Sequence, residues 1–338
     1  MSRIFGQNLK NHRYYLVFRI LIAVFFTVTF AELIANDKPL IVKFDNKYYF
    51  PIIKNVPEKI FIKNNHLLTN ADFHDSEVIN AINNNGWLIF PIIPFSYQTI
   101  NFSIDNKLPS PPTRINILGT DDNGRDLLAR LIYGMRTSLY FGIILGFISL
   151  SIAIFFGSIQ GYFGGWIDLI LQRFSEIWSS LPIMFLLLIL STIIEPNFLY
   201  LLLIISLFSW MGIANYIRAE FLRVRNLNFI KAAKVVGCSN FDIIFRHILP
   251  NIIPIIISTM PFLIAGAISS LTALDFLGFG LSVNSASLGE LLNQGKNNLT
   301  SYWLGITGFC AITFIITALV LIGEMFRDLA NNNINNSK

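Results

Sequence analysis

Long apolar runs without a charged residue recur along the chain and determine its predicted architecture. Five such runs cover residues 137–167, 177–194, 196–217, 247–274 and 297–323. A run of about 18 or more apolar residues is long enough to cross a bilayer as a helix. Their centres predict spans near residues 138–158, 181–194, 199–217, 252–274 and 304–323. The pattern indicates an all-α polytopic membrane protein.

A further apolar stretch follows the basic N-terminus. Arg13 and Arg19 precede the apolar residues 20–31, and the apolar character continues to residue 35. A signal peptide begins in the same way, but Leu33 is larger than the residue that usually precedes a cleavage site. We therefore predict an uncleaved first transmembrane helix over residues 16–35, which brings the count to six. Both chain termini then lie in the cytoplasm.

Residues 36–136 differ from the rest because they contain 21 charged residues. Short alternating stretches at residues 41–44 and 48–50 favour strands or irregular structure over long helices. The proline-rich residues 109–112 mark the end of this region as a stiff connector. Long loops escape the positive-inside bias, so its eleven Lys and Arg residues are compatible with a periplasmic lobe.

Composition supports the membrane interpretation and excludes several kinds of site. The chain is 54% hydrophobic and 13% charged, against about 25% charged in soluble domains. Two cysteines imply no disulfide framework, and the four histidines show no metal-ligand spacing. The phosphate-binding pattern G-x-x-x-x-G-K-[ST] does not occur. We expect no metal and no cofactor in this chain, and any ATP must be bound by a partner.

One polar segment between apolar runs, residues 229–251, is called the elbow below. Gly237 is a natural residue for the end of a short helix, because it tolerates positive φ. Ser239 is a plausible N-cap for a second helix, with Asp242 three residues later. The side chains of Phe241, Ile244, Phe245 and Ile248 are predicted to share one face, and Pro250 is predicted to end the pattern.

Charge places the elbow on a particular side of the membrane. Between Arg218 and Arg246 there are six basic residues against Glu220 and Asp242. A short loop with this excess belongs in the cytoplasm. Counting spans from a cytoplasmic N-terminus gives the same side.

The elbow resembles the cytoplasmic coupling loop of permease subunits in bacterial binding-protein-dependent ABC importers. That loop has Glu-Ala-Ala, three residues, Gly, nine residues and a final hydrophobic-x-Leu-Pro. This chain departs from it in one position, where Lys replaces Glu. The resemblance implies docking to an ATPase through the matching positions Lys231, Ala232, Ala233, Gly237, Phe241, Ile244, Phe245, His247, Leu249 and Pro250.

Two further segments, residues 118–136 and 273–281, resemble the peptide and nickel branch of these permeases. The first contains Asp121, Arg125 and Asp126. Oxygen ligands could bind a metal there, but Arg125 in their midst favours a salt-bridged structural corner. In the second, Asp275 at the membrane edge is a functional candidate. It could contact a substrate amine or form an ion pair at a helix end, and we favour the structural role.

Within that branch, residues 32–40, 84–87, 109–112 and 289–299 resemble the E-type permeases of importers for peptides and the peptide-nucleotide microcin C. The resemblance implies a type I ABC importer permease fold in the bacterial inner membrane. It divides the chain into residues 1–35 with the first helix, a periplasmic insertion at 36–136, and a permease core at 137–330 with a coupling loop at 218–250. It implies as partners a second homologous permease, a cytoplasmic ABC ATPase and a periplasmic peptide-binding protein.

Two other classes of function remain as alternatives. A secondary transporter or channel without an ATPase should carry ionisable residues in mid-span, which the five uncharged runs lack. A membrane-anchored sensor would bind ligand through residues 36–136 and would need only one or two spans. Co-purification of an ATPase from membranes separates the importer from both.

Overall fold

The structure, a computed structural model, describes residues 12–62, 69–102, 107–282 and 284–336, with side chains for residues 16–330 of those ranges. The predicted cytoplasmic residues 1–11 lie outside the described residues. The chain divides into two compact units. The helical unit comprises Met1–Leu21, Ser138–Ser282 and Thr313–Lys338, and the mixed unit comprises Ile22–Thr137 and Val283–Ile312.

The mixed unit contains a three-stranded antiparallel sheet in the order β2-β1-β3. Its strands are β1 (Ile41–Phe44), β2 (Lys47–Tyr49) and β3 (Gly86–Ile89). Asp45 and Asn46 both have positive φ, as a two-residue turn between twisted strands requires. The strands predicted at residues 41–44 and 48–50 are thus confirmed within one residue.

Helices accompany this sheet. They are α1 (His12–Thr29), α2 (Ala31–Ile34) and α3 (Ser76–Asn85), with a 3₁₀ turn at Glu58–Ile60. Val78 and Ile82 of α3 are buried against Val42 and Phe44 of β1. The apolar face of α3 and one face of the sheet therefore form a small core of their own.

The remaining helices include the long apolar ones, and most belong to the helical unit. They are α4 (Leu127–Phe163), α5 (Gly165–Ser179), α6 (Ile183–Ser191), α7 (Phe198–Ser209), α8 (Met211–Val224), α9 (Asn228–Val235), α10 (Asn240–Asp242), a π-helical turn at Ile243–Ile248, α11 (Leu249–Phe276), α12 (Leu288–Asn297) and α13 (Tyr302–Asn336).

Within the described residues, four helical segments are long and apolar enough to cross a membrane: Leu127–Phe163, Phe198–Val224, Asn240–Phe276 and Tyr302–Ala330. The pair α5 and α6, bent by 55° at its break, makes a fifth if it is one span. The multi-pass prediction is therefore confirmed. The apolar part of α1, Leu16–Thr29, is shorter than these segments.

The span predicted at residues 181–194 begins close to its predicted start, since α6 begins at Ile183, but this helix already ends at Ser191. The chain before it is also helical, over Gly165–Ser179, and it breaks here because Pro182 lacks the N–H that a continuous helix needs. Residues 282–303, predicted to be an outer loop, contain the helix α12. Ser287 caps this helix, since its hydroxyl oxygen accepts a hydrogen bond from the N–H of Glu290.

Glycines on α4 determine which helices it packs against. A side chain at Gly142 would clash with Ile264 and Ile268 of α11. A side chain at Gly157 would lie 2.7 Å from the carbonyl oxygen of Ala214 in α8, and one at Gly161 would lie 2.7 Å from that of Arg218. Small residues four apart permit this close approach of helices in membranes. Helix α4 is thus in contact with both α8 and α11.

Candidate functional site

The first bend of the elbow is a Schellman motif at the end of α9. Gly237 has φ +89°. Its N–H donates to the carbonyl oxygen of Lys234 at 3.1 Å, and the N–H of Cys238 donates to that of Ala233 at 3.1 Å. These two bonds satisfy carbonyls that a helix end leaves open. The predicted turn at Gly237 is confirmed.

The second helix begins as predicted at Ser239. Its hydroxyl accepts a hydrogen bond from the N–H of Asp242 at 3.1 Å and donates one to the Asp242 carboxylate at 2.6 Å. Arg246 lies one turn later and pairs with the same carboxylate at 3.0 Å. The two short helices are therefore fixed at the bend by local bonds.

The predicted end of the pattern at Pro250 was wrong. The π-helical turn leads directly into α11, which continues to Phe276. Pro250 is the second residue of α11, directly after the π-helical turn, and the chain stays helical through it. The elbow is therefore continuous with a membrane-spanning segment.

The elbow presents an apolar surface to solvent. Phe241 and Phe245 are 69% and 48% exposed, and their ring centroids lie 4.4 Å apart. Val235 and Val236 at the end of α9 are 88% and 82% exposed. A β-branched or aromatic side chain this exposed on a rigid bend indicates a contact surface for another molecule.

The prediction that Ile244 belongs to this surface was wrong. Ile244 and Ile248 are buried, and both belong to the core beneath the elbow together with Ile230 and Ile243. In a π-helical turn the hydrogen bonds run from i to i+5 and each turn holds more residues, so residues three apart, such as Phe241 and Ile244, no longer share a face. Phe241 and Phe245 face outward while Ile244 anchors the elbow inward.

The other predicted coupling residues differ in how exposed they are. Lys231, Ala232 and Pro250 are exposed. Ala233, His247 and Leu249 are half-buried.

One ion pair, which includes a residue just before the elbow in the chain, was not predicted from the sequence. Arg218 of α8 donates to both carboxylate oxygens of Asp168 in α5, at 2.5 and 2.6 Å. Such a bidentate pair fixes both position and orientation. It connects residues 50 positions apart, so only their opposite charge could have suggested it.

The sequence-predicted corner at Asp121 is a buried charge network in the mixed unit. Its carboxylate lies 2.7 Å from Nε of Arg125 and 3.3 Å from Nε of Arg130. Asp126 caps α4 by accepting the N–H of Ala129 at 2.8 Å, and burial raises the pKa of its carboxyl. The interpretation as a salt-bridged corner is confirmed. Among the described residues, no group of three potential ligands is placed to hold a metal.

Asp275 at the end of α11 has the predicted structural role. It is buried, and one of its carboxylate oxygens accepts the N–H of Leu281 at 2.7 Å. Gly278, with φ +82°, turns the chain between them. The carboxylate therefore holds the turn that follows the helix.

Comparisons with known proteins agree on the kind of molecule. The family model described as "Binding-protein-dependent transport system inner membrane component" matches residues 153–336. The inner membrane ABC transporter permease protein YejE of Escherichia coli is 46% identical over 96% of this chain and 94% of its own length. The peptidoglycan transport system permease protein YejE of Agrobacterium fabrum is 42% identical over 95% of this chain and 90% of its own.

Two more distant similarities support the same picture. The oligopeptide transport system permease protein OppC of Lactococcus lactis is 35% identical over 69% of this chain and 80% of its own. The inward-facing structure of the MetNI methionine ABC transporter superposes with a TM-score of 0.51 at 15% identity, covering 60% of this chain and 97% of that chain. The latter similarity concerns the fold alone.

Proposed function

Because the chain belongs to the family of inner membrane components of binding-protein-dependent transport systems, we propose that it moves oligopeptides or peptide-like compounds into the cell. It forms the translocation path together with a second, homologous permease. ATP is bound and hydrolysed by a separate cytoplasmic ABC ATPase, which docks on the elbow. A periplasmic binding protein delivers the substrate.

The proposed topology has six spans with both termini in the cytoplasm. Residues 1–35 include the first span, to which the apolar helix Leu16–Thr29 contributes. Residues 36–136 form a periplasmic insertion, and residues 137–330 form the permease core with its coupling loop at 218–250. The excess of basic residues around the elbow supports the cytoplasmic side for this loop.

The observation that carries the proposal is the exposed apolar surface of the elbow. The rings of Phe241 and Phe245 contact each other at a tilt, and Val235 and Val236 lie nearby in sequence across the Gly237 turn. Aromatic side chains that become fully desolvated on binding supply much of the affinity of a protein interface. Hydrogen bonds fix the backbone behind them, so a docked ATPase would meet a preformed surface.

The proposed mechanism is alternating access. ATP draws the two ATPase domains together, the elbow moves with them, and the helices continuous with it reopen the path on the other side. ATP can shift this equilibrium only by its differential affinity for the two states. The elbow converts that difference into movement of α11, because the two are one continuous helical segment.

The proposed substrate class rests on the names of the relatives. One is an oligopeptide permease and another a peptidoglycan transport permease, and both substrates carry peptide bonds. Extended peptides and peptide-bearing cell-wall fragments are therefore the first compounds to test.

ATP-dependent uptake into proteoliposomes tests the proposal. The chain is purified with its second permease, ATPase and binding protein, and a labelled hexapeptide is supplied outside. Uptake should require ATP inside and should survive collapse of ion gradients. Uptake that follows an ion gradient, with no ATPase in the purified complex, would instead support a secondary transporter.

A further inference from the structure

Tyr162, in the last turn of α4, contacts both helices of the elbow. Its hydroxyl donates a hydrogen bond to Oδ1 of Asn240, at the start of α10, at 2.6 Å. The ammonium group of Lys234, in α9, lies 5.1 Å from the centre of its ring. The ring itself is buried. One side chain thus joins the two arms of the elbow across the Gly237 turn.

The end of α4 receives a second contact from the segment that enters the elbow. The guanidinium of Arg225 donates to the carbonyl oxygens of Gly161 and Tyr162, at 3.0 and 3.2 Å. A cation that caps the last carbonyls of a helix is favourable there. A side chain at Gly164 would lie 2.7 Å from the same guanidinium. The backbone that carries Tyr162 is therefore fixed as well.

Helix α4 is well placed to receive movement from the elbow at this point. Gly157 and Gly161 hold it against α8, which precedes the elbow, and Gly142 holds it against α11, which follows the elbow. Closely packed interiors have few voids and transmit a displacement to their neighbours. A movement of the elbow that reaches Tyr162 therefore reaches a helix that is in contact with both neighbouring spans.

We infer that Tyr162 is a positioning residue of the transport cycle, which couples displacement of the elbow to α4 through Asn240 and Lys234. The inference rests on the proposed function in one respect, namely that an ATPase moves the elbow. Tyr162 does not belong to the exposed docking surface. Its loss should leave the ATPase bound while less of the movement reaches the membrane helices.

The test measures hexapeptide uptake per ATP hydrolysed in proteoliposomes that contain the complete transporter. Tyr162→Phe keeps the ring beside Lys234 and removes only the hydroxyl. Uptake per ATP should fall about threefold to tenfold, the factor that corresponds to the net free energy of one hydrogen bond. The amount of ATPase that co-purifies should not change.

Further variants control the result. Asn240→Ala removes the acceptor at an exposed position and should reproduce the effect. The double variant should be no worse than either single variant, because both single variants remove the same hydrogen bond.

Tyr200→Phe is a matched control. It removes another buried hydroxyl, one with no hydrogen-bond partner among the described residues, and should leave uptake per ATP unchanged. Lys234→Met removes the ammonium group that lies beside the Tyr162 ring and should lower the ratio.

Failure of the inference and failure of the proposed function are distinguishable. If Tyr162→Phe and Asn240→Ala match Tyr200→Phe while the wild-type complex couples ATP to uptake, Tyr162 is not a positioning residue. If both variants lose stability and ATPase binding together, the contact is structural and the inference is wrong. If no ATPase is bound to the wild-type chain, the proposed function itself fails.

Discussion

Two polar regions of this chain differ in whether their key side chains are buried or exposed. The charged corner, formed by Asp121, Arg125 and Arg130, is buried, and both guanidinium groups pair with the one carboxylate. In the elbow the backbone is equally well fixed, but Phe241 and Phe245 are left exposed. The charged groups of the corner find their partners within the chain, whereas the aromatic rings of the elbow remain exposed on one side.

This difference in burial indicates which region stabilises the fold and which region binds a partner. Buried charges that find their partners within the chain need nothing further, so the corner is explained by the fold alone. Exposed aromatic side chains gain no free energy from the fold, and their burial requires a second molecule. Substitutions in the corner should therefore change stability, and those on the exposed face of the elbow should change association with a partner.

The largest effect is expected from Asp121→Ala. The change leaves two buried guanidinium groups without their carboxylate and should lower the free energy of unfolding by about 3–5 kcal/mol. Thermal unfolding of the purified protein in detergent measures it. The neighbouring Asp122 is exposed, so Asp122→Ala should stay within about 0.5 kcal/mol of wild type. Equal losses of stability for the two variants would mean that the buried position of Asp121, beside the two guanidinium groups, gives it no special role in the fold.

A double Phe241→Ala and Phe245→Ala change should act on binding instead. The loss of two aromatic anchors should weaken ATPase association by at least about tenfold, since each such anchor is typically worth about 2 kcal/mol. Retention of the ATPase through purification measures it, with unchanged thermal unfolding expected. Phe155→Ala, an equally exposed aromatic position on α4, is the control and should retain the ATPase in full.

The Gly237→Val variant tests whether transport requires the angle that this glycine sets in the elbow. Space is open around this glycine, so the strain arises from its positive φ alone, at about 1–3 kcal/mol. We expect ATP hydrolysis to continue while hexapeptide uptake falls. Asn tolerates this conformation better than Val, so Gly237→Asn should retain more uptake. Normal uptake by a well-expressed Gly237→Val variant would refute the role of a fixed angle.

The smallest effect is expected from Lys231→Glu, which restores the residue that gives the coupling loop of the family its name. Lys231 is exposed, and such substitutions usually change stability by less than about 0.5 kcal/mol. Uptake and ATPase retention should both stay near wild type. Loss of ATPase association would show that Lys231 contacts an acidic surface of the partner and belongs to the docking site.

The sequence predicted features that depend on local chemistry. Gly237 and Ser239 were correctly predicted because a helix end and a helix start have requirements that few residue types meet. The salt-bridged corner was correctly predicted because Arg125 lies among carboxylates in the sequence. The spans were found from uncharged length alone, although their ends were not.

Predictions failed where the structure departs from a regular helix or depends on distant contacts. Ile244 was assigned to the outer face on a helical period that the π-helical turn alters. Pro250 was taken as a terminator, but the π-helical turn before it passes directly into α11. Tyr162 with Asn240, and Asp168 with Arg218, are pairs that one sequence cannot reveal, because nothing in the sequence records which distant residues meet.

The central claim is that the exposed face of the elbow binds the ATPase. A photo-reactive amino acid in place of Phe241, activated in native membranes, tests it most directly. We predict a crosslink to the chain that carries the G-x-x-x-x-G-K-[ST] motif, and none to that chain from the same amino acid in place of Phe155. Crosslinking from position 241 only to lipid or to periplasmic proteins would contradict both the docking site and its cytoplasmic placement.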